Sequence, residues 1–320
     1  MNNFKKIGLS TLAGSLVAVS AHAAEITMSG GASVAVTSGD DKGKSSYYQN
    51  DSITFKVAGE TDGGLSITTT LELDGGANAS SSFDNRSLAI GHDTLGTVTF
   101  SGHGGDSVLS GWDDKMPTAY EEAWALTTGN LAINGVAGDN LWRYDSPELM
   151  PGLTFSASYQ SADQTASYSS YTDMGFMYSP EMIEGLSIGY AVGEVDEAIY
   201  THGSGNVTGT DESTMFVTYA TGPITVGYQA SEADGATTTQ DDDSTAFGIS
   251  YAVTDDFSVS YGEHELDLGS STSDQESEGI SASYTMGGTT IKAAFNETTS
   301  VAGVSGTDRE SYEIALVFAF

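Results

Sequence analysis

The chain has 320 residues, with 44 Asp plus Glu against 10 Lys plus Arg, 39 glycines against 5 prolines, and no cysteine. A formal charge of −34 leaves too few cations for phosphate contacts, which excludes nucleic acid as a partner. Without disulfides, stability must come from backbone pairing and packing, and 38 % hydrophobic content restricts any membrane passage after the leader to β-strands.

Met1 to Lys6 is basic, Ile7 to Val19 is apolar, and Ala21-His22-Ala23 places small residues at −3 and −1. This is the layout of a secretory signal peptide over residues 1–23. A membrane-spanning anchor needs about 20 continuous apolar residues, and Ser10, Thr11 and Ser15 interrupt a shorter run. Removing a leader that carries Lys5 and Lys6 and no acid takes the charge from −34 to −36. Residues 24–320 are then one domain, and a field of that sign attracts small cations.

From Glu25 onward the pattern is period two, which puts alternate side chains on opposite faces of extended strands. Ile26, Met28, Ala32, Val34 and Val36 share one face of the first strand; Ile53, Phe55 and Val57 follow on the second, and Leu65, Ile67, Leu71 and Leu73 on the third. Arg86 to His92 and Val98 to Phe100 continue the series, and Asn140 to Ser146 is the sixth strand. Later strands carry ladders such as Leu186/Ile188/Tyr190, Met215/Val217/Tyr219 and Phe257/Val259/Tyr261. The last ladder is Tyr312, Ile314, Leu316, Phe318 and Phe320, for a total of roughly sixteen strands, an even number as a closed up-and-down barrel requires. A helical period competes only around Tyr120 to Leu126.

Connections alternate in length. Asp62-Gly63-Gly64, Asp93 to Gly96, Thr221-Gly222-Pro223, Thr254 to Asp256 and Gly287-Gly288 are tight turns. Between them lie long polar segments: Gly75 to Asn85, Gly104 to Asp139, Glu194 to Glu212, Ser231 to Asp243 and Glu265 to Ser277. A large soluble sandwich shares the alternation but has no reason to put short turns at one rim and long loops at the other. Charge is segregated too. Lys56, Glu72, Lys292 and Glu313 fall on the polar parity, as they must when Lys or Arg on a lipid face costs roughly 2–4 kcal/mol at mid-bilayer. Tyrosines near strand ends suit interfacial girdles. The fold expected is an all-β, transmembrane, antiparallel barrel in contact with membrane lipid.

The stretch Asn140-Leu141-Trp142-Arg143-Tyr144-Asp145-Ser146-Pro147 resembles the segment after the constricting loop of Gram-negative general diffusion porins, especially the alphaproteobacterial type. Val57-Ala58-Gly59-Glu60-Thr61 and Leu95 to Gly102 resemble two further stretches of that family, in the same order. The terminal Phe320, with Tyr312 and Phe318, resembles the strand signature read by the outer-membrane barrel-assembly machinery. The resemblance implies a 16-stranded homotrimer in the outer membrane with its third long loop, Gly104 to Asp139, folded into the lumen. That loop holds Asp106, Asp113, Asp114, Glu121 and Glu122 as candidate constriction acids, and Trp112, Tyr120 and Trp124 as candidate anchors. A solvated outer loop is the plainer alternative. The family also sets a basic cluster on the opposite wall, for which Lys56, Arg86 and Arg143 are the candidates. Arg143 alternates with Trp142 and Tyr144 and so points inward, whereas the parity of Arg86 would carry Leu88 and Ile90 with it.

The function expected is passive, cation-preferring diffusion of small hydrophilic solutes and ions. A substrate-selective channel and an outer-membrane hydrolase are the alternatives. Hydrolysis needs a His positioned by an acid or amide, with a Ser or water as nucleophile. Of His92, His103, His202 and His264, only His103 near Asp106 and His264 between Glu263 and Glu265 have suggestive settings, and no catalytic set is assigned. No cofactor is required. Asp241, Asp242 and Asp243 offer the hard oxygen ligands that Ca2+ takes, without the spacing of a defined loop motif.

Overall fold

The computed structural model describes residues 24–40, 45–74, 83–129, 131–161, 170–195, 199–202, 205–208, 211–235 and 237–320. The expected leader at 1–23 and most of the loop from Gly75 to Asn85 lie outside the described residues. In chain order the strands are β1 (Glu25–Gly39), β2 (Ser46–Glu60), β3 (Ser66–Asp74), β4 (Asn85–His92), β5 (Gly96–His103), β6 (Gly105–Asp106), β7 (Ala137–Gly138), β8 (Leu141–Asp145), β9 (Leu153–Gln160) and β10 (Tyr171–Tyr178). They continue as β11 (Leu186–Val195), β12 (Ile199–His202), β13 (Gly205–Thr208), β14 (Asp211–Thr221), β15 (Ile224–Asp234), β16 (Asp242–Ala252), β17 (Phe257–Leu268), β18 (Gln275–Met286), β19 (Thr289–Thr299) and β20 (Arg309–Ala319).

Sixteen of these form one closed antiparallel barrel in the order β1-β2-β3-β4-β5-β8-β9-β10-β11-β14-β15-β16-β17-β18-β19-β20. The pairs β6–β7 and β12–β13 are small ribbons within two of the long connections. Among the described residues no helix is long and apolar enough to cross a membrane.

The alternation read from the sequence becomes an inside-out distribution of side chains. On β20, Ile314, Leu316 and Phe318 are exposed, Phe318 at 40 %, while the intervening Glu313 is 4 % exposed and Ser311 and Ala315 are buried. Large apolar groups thus face outward and small or polar groups inward, the reverse of a soluble sheet. The same parity runs through β14, where Met215 and Val217 are exposed and Thr214 is buried; Phe216 is a large inward exception, packed in a buried cluster with Trp112.

Closure is made by the two ends of the chain. β1 pairs with β20 from Gly31 opposite Ala319 to Gly39 opposite Ser311. One step further, Gly30 and Phe320 exchange both backbone hydrogen bonds, at 2.8 and 3.0 Å. A Cβ on Gly30 would stand 2.7 Å from the Ser52 carbonyl oxygen and 2.9 Å from the Phe320 ring, so glycine is what lets the final aromatic seat there.

Three sequence expectations change. Tyr120 to Leu126 forms turns, not a helix, because Ala119 N, Tyr120 N and Leu126 N donate to Ser260, Ser281 and Asn296 on the wall instead of to the preceding turn. The sixth barrel strand starts at Leu141, since Asn140 takes a left-handed φ of 59° at the junction. The strands facing the long loops are longer than the ladders suggested. Glu232, Asp243, Glu263, Glu265, Glu276 and Glu278 are strand residues that share the outward parity of Tyr228, Phe247, Tyr261 and Ile280. The inward confinement of charge therefore stops near the long-loop rim, where the apolar belt has ended and water solvates the carboxylates.

Seating of the last residue predicts that Phe320→Asp or Gly30→Val lowers the yield of folded barrel several-fold, read as the heat-modifiable fraction on electrophoresis. Yields equal to wild type for both would show that closure does not depend on this contact.

Candidate functional site

The segment between β5 and β8, residues 104–140, lies against the inward face of the barrel. Its base is the β6–β7 ribbon, in which Gly105 opposes Gly138. Arg143, inward on β8, donates from Nη1 to the carbonyls of Asp106 and Ser107 at 3.4 and 3.1 Å, while its Nε lies 3.1 Å from Asp145. Beyond that point the wall takes the loop's backbone one strand at a time. Val108 N donates to Ser158 on β9 and Leu109 N to Asp173 on β10. Lys115 N donates to Gln229 on β15, whose amide returns a bond to the Trp112 carbonyl at 2.7 Å. Asn296 on β19 donates to the Glu122 carbonyl, Thr127 pairs with Thr298, and Arg309 on β20 donates to the Thr127 carbonyl. On its return the loop donates Asn134 N and Gly135 N to Glu212 on β14.

Apolar anchors fill the space between. Val108, Leu109, Trp112 and Ile133 pack with Ala191, Phe216 and Ala233 in a buried cluster, with Trp112 meeting Phe216 edge-on at 5.4 Å. Ala123 and Trp124 pack against Ala246, with Met116 and Leu131 beside them. Pro117 approaches so closely that a Cβ on Gly227 or Gly248 would lie 2.6 or 3.0 Å from its ring. These contacts are all with inward-facing wall residues, so the loop occupies the lumen.

Of the candidate acids, Asp113, Asp114, Glu121 and Glu122 are half-buried along this lumenal stretch, and Asp106 is exposed at the loop's base. Burial, opposed by hydrogen bonding, raises the Asp113 carboxyl to about 6. Burial likewise raises Asp114 to about 7, with the neighbouring Glu122 charge adding to the shift. Glu121 is raised by burial and then by the charges of Glu122 and Glu313. Lys115 sits among them, its ammonium lowered by burial. This lysine is absent from the sequence candidates, although it directly follows Asp114 in the chain.

Among the candidate cations, Lys56 has inward parity on β2, opposite Thr27 and Thr70. Arg143 also points inward but is held at the loop's base. Arg86 is a correction: it keeps the outward parity of the exposed Leu88 and Ile90, because the irregularity in the β4–β5 pairing puts the extra residue, Gly102, on β5. Its guanidinium reaches the Gly102 carbonyl at 3.4 Å, off the pore wall. Lys292 on β19, with its ammonium 4.9 Å from the Tyr120 ring centre, and Arg309 are inward cations absent from the candidate set.

The remaining candidates disperse. Asp242 and Asp243 point to opposite faces of β16, pairing with Leu268 and Asp267, while Asp241 accepts from Gly235 N at 3.0 Å. Among the described residues no three His, Asp or Glu side chains are grouped so as to hold a metal. His103 is hydrogen-bonded to Asp139, not to Asp106. His264 is 3 % exposed and its ring lies tilted against Trp124 at 4.4 Å, with no hydrogen-bond partner for either ring nitrogen. The side chain of His202 lies outside the described residues. Tyr312 and Phe318 stand on the outward face of β20.

A closed sixteen-stranded sheet with an apolar exterior and a long loop packed inside defines a membrane pore. The chain belongs to the Gram-negative porin family, whose sequence profile matches residues 9–299. It is accordingly a multi-pass β-barrel of the outer membrane and a diffusion channel. Solved structures share the fold. An anion-selective porin from Comamonas acidovorans superposes with a TM-score of 0.69 at 16 % identity, covering 93 % of this chain and 100 % of that one. OmpT of Vibrio cholerae in trimer form gives 0.70 at 11 %, covering 93 % and 99 %. A mutant Rh. blastica porin gives 0.66 at 15 %, covering 92 % and 100 %. No curated protein matches the chain in sequence.

Carboxyls raised by burial lose their charge early as pH falls, so Asp113 and Asp114 should be largely neutral by pH 5. Reversal potential in a KCl gradient should therefore move toward anions between pH 8 and pH 5, and most of that movement should vanish in Asp113→Asn/Asp114→Asn. An equal movement in the double variant would place the titrating groups elsewhere.

Proposed function

We propose that this porin is a homotrimeric, cation-preferring general diffusion channel for small hydrophilic solutes and ions, without catalytic activity. The observation that carries the reading is the placement of Asp113, Asp114, Glu121 and Glu122 on a loop that crosses the lumen, where low-dielectric walls focus their field. Rings of Asp and Glu favour cations in channels generally. Of the inward cations, Arg143 and Arg309 are fixed on loop carbonyls and Lys292 over an aromatic ring, while Lys115 beside Asp113 and Asp114 and Lys56 on the wall are the ones that oppose the acids. A relative of this fold is anion-selective, so selectivity follows from the lining charges and must be argued from them. The trimeric form of the Vibrio cholerae OmpT structure supports the assembly proposed here. Tyr312, Phe318 and Phe320, aligned on the outward face of the closing strand, are proposed as the recognition element for the assembly machinery.

Reversal potential tests the selectivity. In dilute KCl the wild type should prefer cations several-fold. The preference should fade at high salt, since the Debye length shrinks from about 10 Å at 0.1 M to about 3 Å at 1 M. Replacing Asp113, Asp114, Glu121 and Glu122 by their amides should remove most of it, and neutralising Asp241, Asp242 and Asp243 should do less. Loss of selectivity in the second variant alone would overturn the constriction assignment.

A further inference from the structure

The loop tip is joined to the seam of the barrel through one carboxylate. Glu313 sits on the inward face of β20 and is 4 % exposed. Its Oε2 accepts a hydrogen bond from the Tyr48 hydroxyl on β2 at 2.6 Å, and its Oε1 accepts one from the Tyr120 hydroxyl at the loop tip. β1 runs between the two strands, pairing with β2 on one side and β20 on the other, so the three side chains bridge the place where the barrel closes.

A buried carboxylate is acceptor-only, and two phenolic donors are what it needs in the absence of a cation. The Tyr120 ring is fixed from a second direction by Lys292, 4.9 Å from its centre. The backbone on either side is held by neutral contacts alone, from Ala119 N and Tyr120 N to the hydroxyls of Ser260 and Ser281. Glu121 and Glu122, the acids assigned to the pore, follow Tyr120 directly.

We propose that Glu313, Tyr120 and Tyr48 form a latch that positions the tip of the constricting loop, and that the steadiness of the open channel depends on it. Glu313 is a positioning residue: it acts on permeating ions through the place it gives to Glu121 and Glu122. The proposal rests on the channel reading above and deepens it. With the phenol of Tyr120 removed, the tip keeps its backbone bonds but gains freedom to swing across the lumen.

The test is single-channel recording on the full-length, assembled protein. Tyr120→Phe keeps the ring against Lys292 and changes no charge. It should raise open-channel current noise and the frequency of brief closures several-fold. Tyr48→Phe should show a smaller effect, because the loop's own bond to Glu313 survives. Combining the two should add little to Tyr120→Phe. Glu313→Gln retains one acceptor and should be intermediate.

Tyr120→Phe channels as quiet as wild type would overturn the latch. So would variants that lower only the yield of heat-modifiable barrel while every surviving channel stays quiet, since that is the signature of a purely structural role. Failure of the wild type to conduct would instead overturn the channel reading, whatever the variants did.

Discussion

Everything in this structure depends on pairing the first strand with the last. Within hydrocarbon an unpaired backbone amide or carbonyl costs several kcal/mol, and an open sheet would present a whole edge of them. The β1–β20 ladder removes both edges at once, and the exchange between Gly30 and Phe320 carries it to the final residue. Once the backbone is satisfied by closure, the side chains need not form a central core. That freedom allows a hollow interior lined by Ser, Thr and charge.

The hollow is nevertheless partly filled, and the filling is local. Among the described residues, all four clusters of buried apolar residues contain side chains of the constricting loop: Val108, Leu109, Trp112 and Ile133 in one, Ala123 and Trp124 in another, Ala132 in the third and Val136 in the fourth. The core of this protein is the contact between that loop and the wall from β9 round to β20. Packing and permeation are therefore one problem. The residues that narrow the pore are held by the same contacts that bury most of the inward-facing apolar surface.

Which parts of this were legible follows from how far period-two patterning carries. On β3, on β2 from Ile53 onward and on β20, the outward positions are mostly large and apolar and the inward ones polar or smaller, so parity indicates strand and face together. On β17 the sign reverses along one strand: Val259 and Tyr261 face out, and further along it is Leu266 and Leu268 that face in, against Ala132, with Glu265 and Asp267 outward. The apolar pattern alone loses the strand there, and for that reason the acidic ends read as loops in the sequence. The loop's lumenal position was implied by family likeness, whereas the anchors that hold it, such as Gln229, Asn296 and Glu212, carry no local signal. Their partners are distant in sequence, and a buried Glu on a strand looks like any polar-parity residue. Parity alone puts Arg86 with Leu88 and Ile90, which is where it lies; its place among the pore-wall candidates came from the family likeness.

The position of the charges also explains why a formal count of −34 is a poor guide to the pore. Glu232, Asp243, Glu263, Glu265, Glu276 and Glu278 stand on the outer face of the wall, separated from the lumen by the sheet, and exposed charges beyond about 8 Å are largely screened at physiological ionic strength. Within the lumen, burial holds Asp114 close to half-protonation near neutral pH and raises Asp113 to about 6, and Lys115 stands beside them. The field felt by a permeating ion is thus the work of a few loop carboxylates whose charge is conditional on their burial. Any change that loosened the loop would hydrate those carboxyls and bring their pKa values back down. It would thereby increase the negative charge in the pore at the moment that it widened. Aperture and selectivity in this channel are coupled through the same handful of wall contacts.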